Sequence, residues 1–169
     1  MFHVLFKSFK TGCLTEKLPP RDESLDQVGE ACREEIARLF GKSMAVRMVD
    51  AGSCNGCELE MHAVNNGFYD IERFGIHFVA SPRHADLLLV TGPVSRHMQA
   101  ALKRTYDATP SPKVVIAMGD CAACGGEFGV SYASCGAVSN VIPVDAVIRG
   151  CPPTPLQLLQ GILEVLKAR

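Results

Sequence analysis

Three glycine-rich turns carry four of the chain's eight cysteines, and each follows an apolar run rich in β-branched residues. Cys54 and Cys57 lie in Gly52-Ser53-Cys54-Asn55-Gly56-Cys57, after the run Met44 to Val49. Cys121 follows Lys113 to Met118, and Cys151 lies in Gly150-Cys151-Pro152-Pro153 after Ala146 to Ile148. Such runs read as strands. Turns at the ends of neighbouring parallel strands meet at one edge of a sheet. The pattern therefore asks for a parallel sheet and brings four thiols to one place.

The rest of the chain supplies the helices such a sheet needs. Asp22 to Gly41 reads as a helix, with Ser24 as N-cap, Gln27 at the capping-box position and Gly41 as terminator. Its apolar face is Leu25, Val28, Cys32, Ile36, Leu39 and Phe40. Further helices are expected over Glu58 to Asn65, Val94 to Ala108 and Pro155 to Lys167, and further strands over Gly75 to Ala80 and Asp86 to Thr91. Val141 to Pro143 reads as a short extended piece. The alternation predicts an α/β fold, a flavodoxin-like three-layer sandwich around a parallel sheet, with an N-terminal extension. The expected division is a segment over 1–20, a helix over 21–43 and an α/β domain over 44–169.

In the first segment Phe2, Leu5, Phe6 and Phe9 recur at helical spacing beside Lys7 and Lys10, and Pro19-Pro20 closes it. It reads as an amphipathic segment that docks on a membrane surface or in a partner's groove. A net charge of −1 without a Lys/Arg stripe argues against nucleic acid as the main partner. No secretory signal is visible and no stretch approaches the ~18 apolar residues of a membrane span. The cysteines are thus expected to bind metal or lie buried rather than pair as disulfides.

The gaps between the four cysteines are two, 63 and 29 residues. A zinc ribbon usually has two close Cys-x-x-Cys knuckles. One pair and two distant singles instead require a folded sheet to assemble them, which favours an iron–sulfur cluster. Zinc and a thioredoxin-like dithiol at Cys54 and Cys57 are the rivals. Cys124 is a less favoured alternative to Cys121, which comes first after its strand. Cys13 and Cys135 read as structural thiols, and Cys32 as a small buried hydrophobe. Gly52, Ser53, Gly119, Gly125 and Gly126 are expected around the cluster, where glycine permits tight turns and close backbone approach to sulfur. Pro152 stiffens the last turn.

The run Gly52-Ser53-Cys54-Asn55-Gly56-Cys57-Glu58-Leu59-Glu60 resembles the small subunit of NiFe hydrogenases. Glu72-Arg73-Phe74-Gly75, Ser81-Pro82-Arg83-His84-Ala85-Asp86, Val90-Thr91-Gly92-Pro93 and Gly150-Cys151-Pro152-Pro153-Thr154-Pro155 are similar to its membrane-bound, energy-converting group, of the formate hydrogenlyase and CO-induced type. The B subunit of NADH:quinone oxidoreductase (complex I) belongs to the same superfamily but carries two adjacent cysteines at the first site. The spacing here is the hydrogenase one. The family's third site usually reads Cys-x-x-Ser/Thr-Gly-Gly, whereas this chain has Cys121-Ala122-Ala123-Cys124-Gly125-Gly126.

The resemblance implies that Cys54, Cys57, Cys121 and Cys151 ligate one 4Fe–4S cluster. It implies an oxidoreductase subunit without an active site of its own. Electrons would pass between ferredoxin-like iron–sulfur subunits and the nickel–iron centre of a large subunit. Membrane-integral subunits and a peripheral place on the cytoplasmic side of the cell membrane complete the expectation. Glu58 and Glu60 are expected as solvated or interface carboxylates in preference to a proton path. Arg83 and His84 are expected at the large-subunit interface or in a salt bridge. An equivalent subunit of a quinone- or cofactor-reducing complex without hydrogenase activity, and a zinc-stabilised structural module, are the alternatives.

Overall fold

The apolar runs Met44 to Val49, Asp86 to Thr91 and Lys113 to Met118 form the middle of the sheet. The computed structural model describes residues 2–12, 16, 20 and 23–169. Strands β1 (Met44–Asp50), β2 (Ile76–Phe78), β3 (Leu87–Thr91), β4 (Val114–Met118) and β5 (Ala146–Ile148) pair in the order β2-β1-β3-β4-β5. Every pairing is parallel. This is the flavodoxin-like order. β3 and β4 are buried along their whole length, as a parallel strand covered on both faces must be.

Alternate strand residues divide between two cores, following the two-residue period of a strand. Met44, Val46, Leu87, Leu89, Val114, Ile116 and Met118 pack under α2 (Glu23–Phe40), α3 (Gly56–Val64) and α6 (Pro155–Lys167). Val49, Leu88, Val90, Val115 and Ala117 pack against α4 (Gln99–Ala108) and α5 (Asp120–Cys124). The result is the expected three-layer α/β sandwich. In α6 the buried stripe is Leu158, Leu159, Ile162, Leu163 and Leu166, which contributes roughly 10 kcal/mol of gross hydrophobic stabilisation. Thr154 caps α6 with a capping box: its Oγ1 accepts from the Gln157 N–H, and Gln157 Oε1 accepts from the Thr154 N–H. The cap fixes the start of α6 just after Cys151. α1 (Phe2–Thr11) buries none of its side chains and ends at Gly12, whose N–H donates to the Ser8 carbonyl.

Several local expectations change. α2 begins at Glu23, so Ser24 lies in its first turn rather than at its cap. α4 begins at Gln99 instead of Val94. Val94 and Ser95 spend their backbone groups on neighbours: Val94 N–H donates to Gly136, Cys135 N–H donates to Val94, and Ser95 N–H donates to Ala51. Val141 to Pro143 is not extended. It follows a single 3₁₀ turn, Val138–Asn140, that drives Ile142 into the second core. Cys121 sits on the short helix α5 rather than in an open turn. The N-terminal helix stops at Thr11, well before Pro20, and Cys13 and Pro19 lie outside the described residues.

Candidate metal centre

The cysteine turns are built from the C-terminal ends of β1, β4 and β5. Beyond β1, Asp50 Oδ1 accepts the N–H groups of Gly52 and Ser53, both at 2.8 Å. Ser53 Oγ accepts from Asn55 N–H, and Asn55 takes a left-handed φ of 72° where α3 begins. Cys54 therefore lies in the turn and Cys57 in the first turn of α3. Beyond β4 and β5 the two turns hold each other. Asp120 N–H donates to the Gly150 carbonyl at 2.9 Å, and Asp120 Oδ1 accepts from Gly150 N–H at 3.4 Å. Gly119 N–H donates to the Ile148 carbonyl at 2.7 Å. The Cys151–Pro152 peptide is cis.

The three turns meet. A Cβ on Gly119 would stand 2.7 Å from Cys57 Sγ, and a Cβ on Gly126 would stand 2.7 Å from Cys121 Sγ. Both glycines have positive φ, so an L side chain is excluded twice over, by conformation and by sulfur. Gly56 lies between Cys54 Sγ and the Pro152 ring. Cys57 and Cys121 are half-buried, while Cys54 and Cys151 are exposed at the rim.

The charge of the four thiols is a shared problem. Burial pushes the Cys57 thiol up to about 12, and Glu58 and the thiols of Cys54, Cys121 and Cys151 push in the same direction. Burial also pushes Cys121 up, followed by Cys151, Cys54, Asp120 and Cys124. Four thiolates this close repel one another, so the set suits a positively charged occupant that offsets the repulsion. Among the described residues, no group of three or more His, Cys, Asp or Glu closes around a single ion. No disulfide joins the described cysteines. The soft sulfur donors and the glycines pressed against them suit a thiophilic metal group.

The remaining predicted residues separate. Cys124 is exposed at the end of α5, and its Sγ donates to the Asp120 carbonyl at 3.1 Å. Glu58 is not a solvated carboxylate: it is 3% exposed beneath α3. Thr91 Oγ1 donates to Glu58 Oε1, and Oε2 is buried without a partner. Glu60 is half-buried on the same helix. Arg83 and His84 are exposed on the single 3₁₀ turn Pro82–His84 and line a groove with Lys42, Asp86 and Pro112. Those residues precede β1, β3 and β4, so this groove lies at the sheet edge opposite the cysteines. Asp50, Asp120 and Thr91 escaped the sequence reading. The spacing Asp50-Ala51-Gly52-Ser53 is an Asx-turn signal that marks the first. Nothing local marks the other two.

The chain matches the family model "NADH ubiquinone oxidoreductase, 20 Kd subunit" over residues 54–165. It is 44% identical over 133 residues to the probable membrane-bound hydrogenase subunit mbhJ of Pyrococcus furiosus, covering 79% of this chain and 80% of that protein. It is 39% identical over 160 residues to formate hydrogenlyase subunit 7 of Escherichia coli, covering 90% of this chain and 63% of that protein. The chain thus spans less than two thirds of the length of that relative. Among solved structures it resembles a chain of the membrane-bound sulfane sulfur reductase, an archaeal respiratory membrane complex. That match has a TM-score of 0.66 and 35% identity, and covers 80% of this chain and 74% of that one. Among the described residues no helix is long and apolar enough to cross a membrane. The chain is an oxidoreductase-complex subunit, a member of the family of the 20 kDa subunit of NADH:ubiquinone oxidoreductase.

Proposed function

We propose that Cys54, Cys57, Cys121 and Cys151 hold one 4Fe–4S cluster. The chain then relays single electrons between ferredoxin-like subunits and the nickel–iron centre of a large subunit. It sits peripherally on the cytoplasmic side of a membrane-integral partner. The observation that carries the reading is the meeting of three cysteine turns at one sheet edge, with Gly119 and Gly126 pressed against sulfur. A bound cluster supplies one-electron chemistry. The chain's own residues hold the ligands: Asp50 fixes the first turn, and Asp120 ties the second turn to the third. Glu58 anchors α3, and so Cys57, to β3 through Thr91. Cys124, bonded back onto its own helix, stands beside the site as a thiol and not as a ligand.

The likeness to the sulfane sulfur reductase favours a second reading, in which the same relay serves a complex that reduces sulfur or quinone. Nickel decides between them. Anaerobically purified complex is analysed for metals and for hydrogen evolution from a reduced viologen. The hydrogenase reading predicts nickel in a one-to-one ratio with this chain, and hydrogen. Iron without nickel or hydrogen would replace it with the second reading and leave the cluster assignment standing.

A further inference from the structure

Among the described residues, α1 carries a strongly apolar surface that the cysteine site does not explain. Phe2, Leu5, Phe6 and Phe9 are all exposed, Phe6 at 77% and Phe9 at 93%. At the helical period these four side chains fall within an arc of about 100°. Lys10 and His3 lie along one flank of that arc, Lys7 falls further round on the polar face, and α1 contains no acidic residue. The local charge is therefore positive, although the whole chain carries a net charge of −1. α1 ends at Thr11 and α2 begins at Glu23, so an eleven-residue connection, 12–22, separates it from the fold.

We propose that α1 lies in the plane of an anionic lipid surface, with its Phe/Leu stripe in the acyl boundary and its lysines among the headgroups. Three features favour lipid over a protein groove. The stripe is dominated by phenylalanine, whose rings enter the boundary layer without needing a shaped pocket. Lys10 borders the stripe, so its stem can cover apolar surface while its ammonium group reaches lipid phosphates, and Lys7 adds positive charge on the polar face. Cationic charge with no acid on the helix complements a negatively charged bilayer surface. The helix is short, so it supplies a weak, reversible contact that adds to whatever the partner subunits contribute. The inference is independent of what the cysteines hold.

The chain has no tryptophan, so Phe6→Trp gives a single fluorescent reporter in the full chain. The probe is vesicles made of equal parts phosphatidylcholine and phosphatidylglycerol. The expected result is a blue shift with these vesicles, quenched by lipids brominated along the acyl chain. In the same background Phe9→Asp abolishes the shift, and Lys7→Glu with Lys10→Glu weakens partitioning about tenfold or more. Iron content and the reduced EPR signal stay the same in all variants, which separates this test from the cluster assignment. Three results would overturn the proposal: no shift with anionic vesicles, equal partitioning of the lysine variant, or a shift produced by the partner subunits without lipid.

Discussion

Gly119 and Gly126 show how narrow the cysteine site is at the scale of single residues. Each leaves one sulfur lying where a side chain would be, 2.7 Å from the Cβ position. The same scale separates Cys151 from Cys124. Cys151 comes from the turn that Asp120 staples to the Cys121 turn, whereas Cys124 spends its thiol on the Asp120 carbonyl. Cys151→Ala is therefore expected to lose most of its iron, and Cys124→Ala to keep the full content. Iron and acid-labile sulfide analysis of both proteins checks this, and retention in the first or loss in the second contradicts the ligand set. The cysteines were legible because each stands at a fixed place after a strand signal. Asp50 and Asp120 were less so, because a carboxylate that accepts backbone N–H groups has the same letter as a solvated one. Glu58 was misread for a related reason. Its burial depends on β3 lying beneath α3, and nothing within a residue or two of Glu58 encodes that contact.

At the scale of elements, α2 and α6 cover one face of the sheet and touch through Cys32, whose Sγ donates to the Leu159 carbonyl at 3.6 Å. Burial pushes this thiol up to about 12 from an ordinary value of 9.0. The folded state thus holds the proton more tightly than the unfolded chain. Its stabilising effect is complete below the unfolded value and declines as pH rises from there towards 12, with a limiting slope of about 1.4 kcal/mol per pH unit. The Tm difference between the parent protein and Cys32→Ala should therefore narrow from about pH 8 to about pH 11. A constant or widening gap would mean that the thiol is not held neutral between the helices. The apolar face of α2 was readable because helical periodicity is a repeated signal. The start of α4 was not, because Val94 and Ser95 are diverted by Gly136, Cys135 and Ala51, which are distant in sequence.

The whole molecule is a two-sided structure. One edge of the sheet gathers the cysteine turns, and the opposite edge carries the groove with Lys42, Arg83, His84 and Asp86. The sheet order follows from alternation of strand and helix signals, since parallel strands need crossovers that place helices on both faces. That logic made the architecture readable from sequence, together with the meeting place of the four thiols. It could not show that Arg83 and His84 lie away from that edge. Their position depends on the short Val79–Asp86 crossover, which returns the chain to the start of β3. The cysteine turns and the groove thus lie at opposite ends of the strands.

The electron relay turns on whether the four thiols hold an iron–sulfur cluster. The most direct test is iron, sulfide and zinc content of anaerobically purified protein, with EPR after dithionite reduction. A cluster on these ligands gives about four irons and four sulfides per chain and a reduced 4Fe–4S signal. Stoichiometric zinc, with neither sulfide nor a signal, would contradict it and make the cysteine edge a structural zinc site.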